Sequence, residues 1–159
     1  CEVVLIGPDS DATPITAAGA CYYGSQPRAV ALGALASCAC LATMSESESF
    51  GIVIVEAWAC RKPVIANRDC AAFAELIDDD RDGLLCRDEE DLAAAIARLL
   101  SDPELGARLG AVGREKALAR YTWDRIASAI AAVLEQSTTG TGPRADARQV
   151  AASAAPQDG

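Results

Sequence analysis

Five short apolar runs, "EVVLI", "ACYYG", "CACLATM", "KPVIAN" and "RDGLLC", punctuate the first half of the chain, and turn clusters such as "GPDSD" bound them. Runs of this length bounded by Gly, Pro and Asp read as strands. Between them lie Ala- and Leu-rich stretches with helical spacing, "RAVALGALASC" (Arg28–Cys38) and "CAAFAELIDD". Short strands alternating with helices define an α/β domain with a mostly parallel sheet. Ligands of such sheets bind outside the carboxyl ends of the strands, where the strand order switches. The Ser- and Glu-rich loop that follows Cys38–Met44 lies at such an end.

The second half is helical. "DEEDLAAAIARLL" opens with acids, which suit a helix N-terminus, and Leu92, Ile96, Leu99 and Leu100 recur at helical intervals. Ser101-Asp102-Pro103-Glu104 is a helix start, with a cap, a proline in the first turn and then an acid. That helix is expected to run to about Arg120, and a further amphipathic one covers Thr122–Gln136. From Ser137 the chain is rich in Gly, Pro, Ser and Ala without apolar periodicity. Residues 1–136 are therefore expected to form one domain and 137–159 a disordered tail. Aromatic residues make up only 4 % of the chain, so the core is expected to be aliphatic.

Charge and residue usage exclude several classes of function. The formal net charge is −9 and no basic stripe is visible, which argues against a nucleic-acid partner. No polybasic membrane patch, membrane-length apolar run or signal peptide appears. The seven cysteines are odd in number, form no CxxC pair and sit mostly among Ala, Leu and Val. They read as buried free thiols of a cytoplasmic protein. There is no histidine, which removes Ser-His-Asp and Cys-His catalysis and any His-based zinc site. Cys38 and Cys40 fall on opposite faces of a strand, and Asp78–Asp82 lacks the EF-hand spacing, so it reads as a solvated turn. No metal site is expected.

The segment "SESESFGIVIVEAWACRKPVIA" (Ser45–Ala66) poses the central question. Ile52-Val53-Ile54-Val55 has the composition of a buried strand, which has no use for the carboxylate of Glu56. As a strand the segment would hold Glu48 and Glu56 roughly 26 Å apart; as a helix, about 12 Å. The helical reading puts Ser49, Phe50 and Gly51 at a helix N-terminus, whose free N–H groups attract anions. Ser45-x-x-Glu48 also reads as a capping box.

This segment resembles the donor-site signature of the retaining glycosyltransferases of group 1 (family 4), which have the GT-B fold. Ser45, Glu48, Phe50, Gly51, Glu56, Ala57, Pro63, Val64, Ile65 and Ala66 are in register with that pattern. Glu75 with "DDDRDGLL" and "YTWDRIA" (Tyr121–Ala127) resemble its downstream segments, and the match covers roughly Glu2 to Gln136. The resemblance implies a Rossmann-like parallel sheet flanked by helices, the C-terminal, donor-binding half of a GT-B fold. The family's N-terminal acceptor domain and the first strand–helix unit of its donor domain have no counterpart here, so the chain is expected to be N-terminally truncated and inactive alone. Glu48 would meet hydroxyls of the donor sugar and is the catalytic candidate. The backbone N–H groups of Ser49, Phe50, Gly51 and Ile52 would hold the diphosphate, and Glu56 would bind the ribose hydroxyls. The donor would be a UDP-, GDP- or ADP-hexose, the acceptor a glycan or lipid-linked glycan, and no metal or other cofactor would be needed. A non-catalytic nucleotide-binding or structural fragment is the alternative. Arg61 stands where the family usually has Gly; a left-handed backbone there would cost a non-Gly residue roughly 1–2 kcal/mol.

Overall fold

The computed structural model describes residues 2–8, 15 and 17–138. They belong to two units, one ending at Tyr121 and the other beginning at Thr122. In the first unit β1 (Val3–Leu5) pairs in parallel with β2 (Ala20–Tyr22), Val4 opposite Cys21. A second parallel sheet has the order β3 (Leu41–Thr43), β4 (Val64–Asn67), β5 (Leu84–Cys86), with Ala42 opposite Ile65 and Ala66 opposite Leu85. The expected parallel, Rossmann-like arrangement is thus present, as two sheets, because no strand ladder joins β1 or β2 to β3 among the described residues. The crossovers are helical: α1 (Arg28–Ser37), α2 (Ile52–Ala59) and α3 (Ala71–Leu76), followed by α4 (Glu89–Ser101) and α5 (Pro103–Arg120).

α2 settles the ambiguity of the "GIVIVEAWAC" stretch. Its buried residues are Ile54, Ala57 and Trp58. That i, i+3, i+4 spacing is one face of a helix, whereas a strand would bury alternate positions. β4, by contrast, buries all four of its residues, as a central parallel strand covered on both faces does. Val64 and Ala66 face a cluster with Ile54, Trp58, Phe73 and Leu76. Ile65, pointing the other way, joins Leu84, Leu99, Leu105 and Leu109.

The core is not purely aliphatic. Trp58 and Phe73 are its largest fully buried side chains. Low aromatic content limits how many aromatics there are, not where they sit. α5 accommodates the indole through Gly113, where a Cβ would lie 2.1 Å from Trp58 Cδ1. Any larger residue would force the helix away from α2.

The Asp78–Asp82 turn is also not simply solvated. Asp82 is 1 % exposed, and its Oδ1 accepts the Asp78 N–H at 2.9 Å. Lys116, from α5, donates to Asp82 Oδ2 at 2.8 Å, Asp78 Oδ2 at 3.0 Å and the Leu76 carbonyl at 2.6 Å. Its ammonium also stands 5.3 Å from the Trp58 ring centroid, and Trp58 Nε1 donates to the Asp82 carbonyl. Burial pushes the Asp82 carboxyl up, while the Lys116 ammonium holds that of Asp78 down. A local reading missed the buried acid because its partner lies on a distant helix.

Both long helices start as expected. Asp88 caps α4 by accepting the Asp91 N–H, and Asp102 caps α5 by accepting that of Leu105 ahead of Pro103. Arg61, after α2, has φ 59°, the left-handed conformation. Arg61→Gly is therefore expected to stabilise the protein by about 1 kcal/mol, after allowing for the freer unfolded chain. Urea denaturation would measure it; a loss of stability would contradict the strain argument.

The second unit contains α6 (Trp123–Thr138), on which Trp123, Ile126, Ile130, Val133 and Leu134 are exposed. Ser137 and Thr138 extend this helix instead of starting the tail; the rest of the expected tail, 139–159, lies outside the described residues. No helix among the described residues is long and apolar enough to cross a membrane. Cys21, Cys38, Cys40, Cys60, Cys70 and Cys86 are free thiols.

Candidate functional site

The loop from Met44 to Gly51 leaves the carboxyl end of β3 and delivers the chain into α2. Ser45 Oγ donates to the Ser47 carbonyl at 3.3 Å, and α2 begins only at Ile52. Ser45 and Glu48 therefore do not form a capping box. The N-cap is Gly51, at φ 83° and ψ 49°, with no side chain capping the helix. The Ile54 N–H turns back to the Gly51 carbonyl at 3.0 Å, which leaves those of Ile52 and Val53 without an intrahelical acceptor.

Gly51 is required here for two reasons. Its positive φ is costly for any residue with a Cβ. A Cβ would also stand 2.7 Å from Phe73 Cε1, against the core. The backbone thus turns tightly at a buried position against Phe73.

The sequence-predicted residues fall around this helix end. Glu48, Ser49 and Phe50 are exposed on the loop, and the Phe50 ring meets Tyr121 edge-on at 5.5 Å. Ile52 is 64 % exposed, unusual for an isoleucine opening a buried helix. Glu56 lies one turn further along α2, its side chain 21 % exposed. Its Oε1 is buried and pairs with Nη2 of Arg28 at 2.7 Å.

Sequence reasoning missed Arg28. It opens α1, after β2, and nothing in its local pattern points towards Glu56. Glu75 was noted only as part of a resembling segment. It lines a small cleft of about 200 Å³ with Ser49, Phe50, Leu76, Arg120 and Tyr121. The volume is below the ~300 Å³ usual for a small-molecule pocket, and the cleft omits Gly51, Ile52 and Glu56. The predicted residues therefore form an open face rather than an enclosed cavity. Tyr22, weighed as packing or base contact, donates its hydroxyl to the Gly7 carbonyl, and Tyr23 is exposed. Among the described residues no group of three or more Cys, Asp or Glu side chains is placed to hold a metal ion.

An uncapped helix N-terminus thus stands at the carboxyl end of β3, between Glu48 on the loop and Glu56 on α2. Residues 17–116 match the sequence profile of the family described as glycosyl transferases group 1, and the chain belongs to that family. It is 41 % identical over 92 residues to a D-inositol 3-phosphate glycosyltransferase of Saccharomonospora viridis, covering 57 % of this chain and 21 % of that one. In structure it is similar to a sucrose-phosphate synthase of Thermosynechococcus elongatus: TM-score 0.76, 25 % identity, covering 87 % of this chain and 39 % of the other. It is also similar to HepE of Anabaena in complex with UDP-glucose: TM-score 0.67, 28 % identity, 75 % of this chain and 33 % of that one. The fold is the Rossmann-like one of GT-B glycosyltransferases. The chain spans less than a third of the length of the curated relatives it matches, 21 % of the Saccharomonospora protein.

Proposed function

We propose that this chain is the donor-binding part of a retaining glycosyltransferase, which moves a hexose from a nucleoside-diphosphate sugar to a glycan or lipid-linked acceptor. The observation that carries this reading is the N-terminus of α2, opened by Gly51, uncapped, and flanked by Glu48 and Glu56. The likeness to an Anabaena protein holding UDP-glucose supports it and puts a UDP-sugar first among UDP-, GDP- and ADP-hexoses.

On this reading the N–H groups of Ser49, Phe50, Gly51 and Ile52 receive the diphosphate. Glu56 accepts hydrogen bonds from the ribose diol, and Glu48 from the sugar hydroxyls. Hydrogen bonds to an ionised acceptor are the strong kind. As the glycosidic bond breaks, negative charge grows on the departing diphosphate. Donors fixed by the helix stabilise that charge without reorganising. The sugar passes through an oxocarbenium-like state, and Glu48, on the loop, stands at the end of the site where that charge develops. The second substrate enters from a separate acceptor domain, which closes the open face. The free thiols suit a reducing compartment, so we place the reaction in the cytoplasm.

Calorimetric titration of this chain with UDP, GDP and ADP tests the reading. One of the three is expected to bind more tightly than about 1 mM, the affinity worth roughly 4 kcal/mol. Binding of none would leave the alternative, a structural fragment.

A further inference from the structure

We propose that the cleft beside the Met44–Gly51 loop, supplied with Glu75 from α3 and Arg120 from α5, holds a neutral saccharide ring of the acceptor. The inference rests on the donor-site reading above and goes beyond it by placing part of the second substrate on this domain.

The cleft has a volume of about 200 Å³ and is lined by Ser49, Phe50, Glu75, Leu76, Arg120 and Tyr121. It shares Ser49 and Phe50 with the proposed donor site but none of Gly51, Ile52 and Glu56. It is therefore a neighbour of that site and not a part of it. A space of this size takes a single ring and not a nucleotide.

Two opposite charges line this space without meeting. Glu75 and Arg120 are both exposed, near the ends of α3 and α5. Among the described residues neither forms an ion pair or a side-chain hydrogen bond. Arg120 has an ordinary reason for its place, because a cation suits the carboxyl end of a helix. Glu75 has none. It is the last residue but one of α3, where the helix dipole disfavours an acid, and no base in that last turn offsets it.

Together the two charges select the occupant. A guanidinium only donates hydrogen bonds, and a carboxylate only accepts them. An anion would be repelled by Glu75, and a cation by Arg120. A neutral polyol, whose hydroxyls both donate and accept, satisfies both. The rest of the lining is partly aromatic: the Phe50 ring, 44 % exposed, meets Tyr121 edge-on with centroids 5.5 Å apart. Aromatic rings offer apolar surface with a defined geometry, and a few polar groups on such a wall orient a small ligand. A sugar ring carries both kinds of surface, hydroxyls around its edge and C–H groups on its faces. On the donor-site reading Glu48 meets the sugar to be transferred, and the cleft begins at the next residue, Ser49. A ring seated there lies against the loop that receives the donor sugar, which is where the attacking hydroxyl has to be held.

The test is an amide NMR titration of the chain with methyl α-glucopyranoside, methyl α-mannopyranoside and inorganic phosphate, alongside UDP, GDP and ADP. At least one glycoside is expected to shift the amides of Phe50, Ala72, Leu76 and Tyr121, with a Kd of roughly 1–50 mM, and phosphate is not. Glu75→Ala and Arg120→Met should each weaken that glycoside at least about fivefold, the loss of a hydrogen bond to a charged group. Neither should alter nucleotide affinity by more than about twofold, and both variants should unfold at the temperature of the unchanged chain, since the two residues are exposed. No shift of these amides by either glycoside would overturn the proposal. Shifts caused by phosphate and lost in Arg120→Met would overturn it too, by making the cleft an anion site. So would glycoside shifts centred on Ile52 and Glu56, which would put the sugar in the donor position. Failure of all three nucleotides to bind would overturn the donor-site reading and with it the acceptor assignment, and the cleft amides would show whether the saccharide site itself had failed.

Discussion

Lys116→Met is expected to destabilise the protein by about 3–5 kcal/mol, the usual cost of stranding a buried charge. The side chain is nearly isosteric, so little packing volume changes. What disappears is the donor to Asp82, Asp78 and the Leu76 carbonyl at once. Asp82 is 1 % exposed, and its Oδ2 would have no partner. The carboxyl, already raised by burial, would lose the ammonium that opposes that rise, and would protonate more readily or draw in water. Against a typical stability of about 5–15 kcal/mol, that loss threatens folding itself. Urea denaturation measures it. Adding Asp82→Asn to Lys116→Met should recover roughly half, because the amide oxygen still accepts the Asp78 N–H without a charge to bury. A loss below about 1 kcal/mol for Lys116→Met would show the network to be peripheral.

That network also marks the limit of what the sequence discloses. Strands and crossovers were legible because they depend on neighbours: β-branched runs, turn residues, and caps such as Asp102 ahead of Pro103. The strained Arg61 was legible too, because the resembled pattern usually has Gly at that position, and its φ is 59°. Lys116 and Asp82 are 34 residues apart, and only the packing of α5 brings them together. Local reading therefore took Asp82 for a solvated acid. Arg28 and Glu56 are a second case, joined across two crossovers. Trp58 is a third, since composition cannot say which side chain takes the centre of a core. α2 lies between these cases. Its propensity favours a strand, and the spacing of Glu48, Gly51 and Glu56 indicated the helix that the burial of Ile54, Ala57 and Trp58 displays.

Glu56→Ala is expected to weaken nucleoside-diphosphate binding by well over tenfold, more than about 1.4 kcal/mol. The carboxylate is largely enclosed on α2, and on the proposed reading a diol loses its charge-assisted hydrogen bonds when it is removed. Glu48→Ala should behave differently. Glu48 is exposed on the loop before Gly51, whereas Glu56 lies within α2. Its removal should leave the affinity for UDP unchanged and lower that for UDP-glucose alone, because only the sugar reaches it. Titrating both variants with both ligands separates the two glutamates by role, with GDP- or ADP-glucose used if the chain selects that base. If Glu48→Ala weakens the nucleotide as much as the sugar nucleotide, Glu48 serves the loop and not the sugar. If Glu56→Ala changes neither affinity, the ribose lies elsewhere.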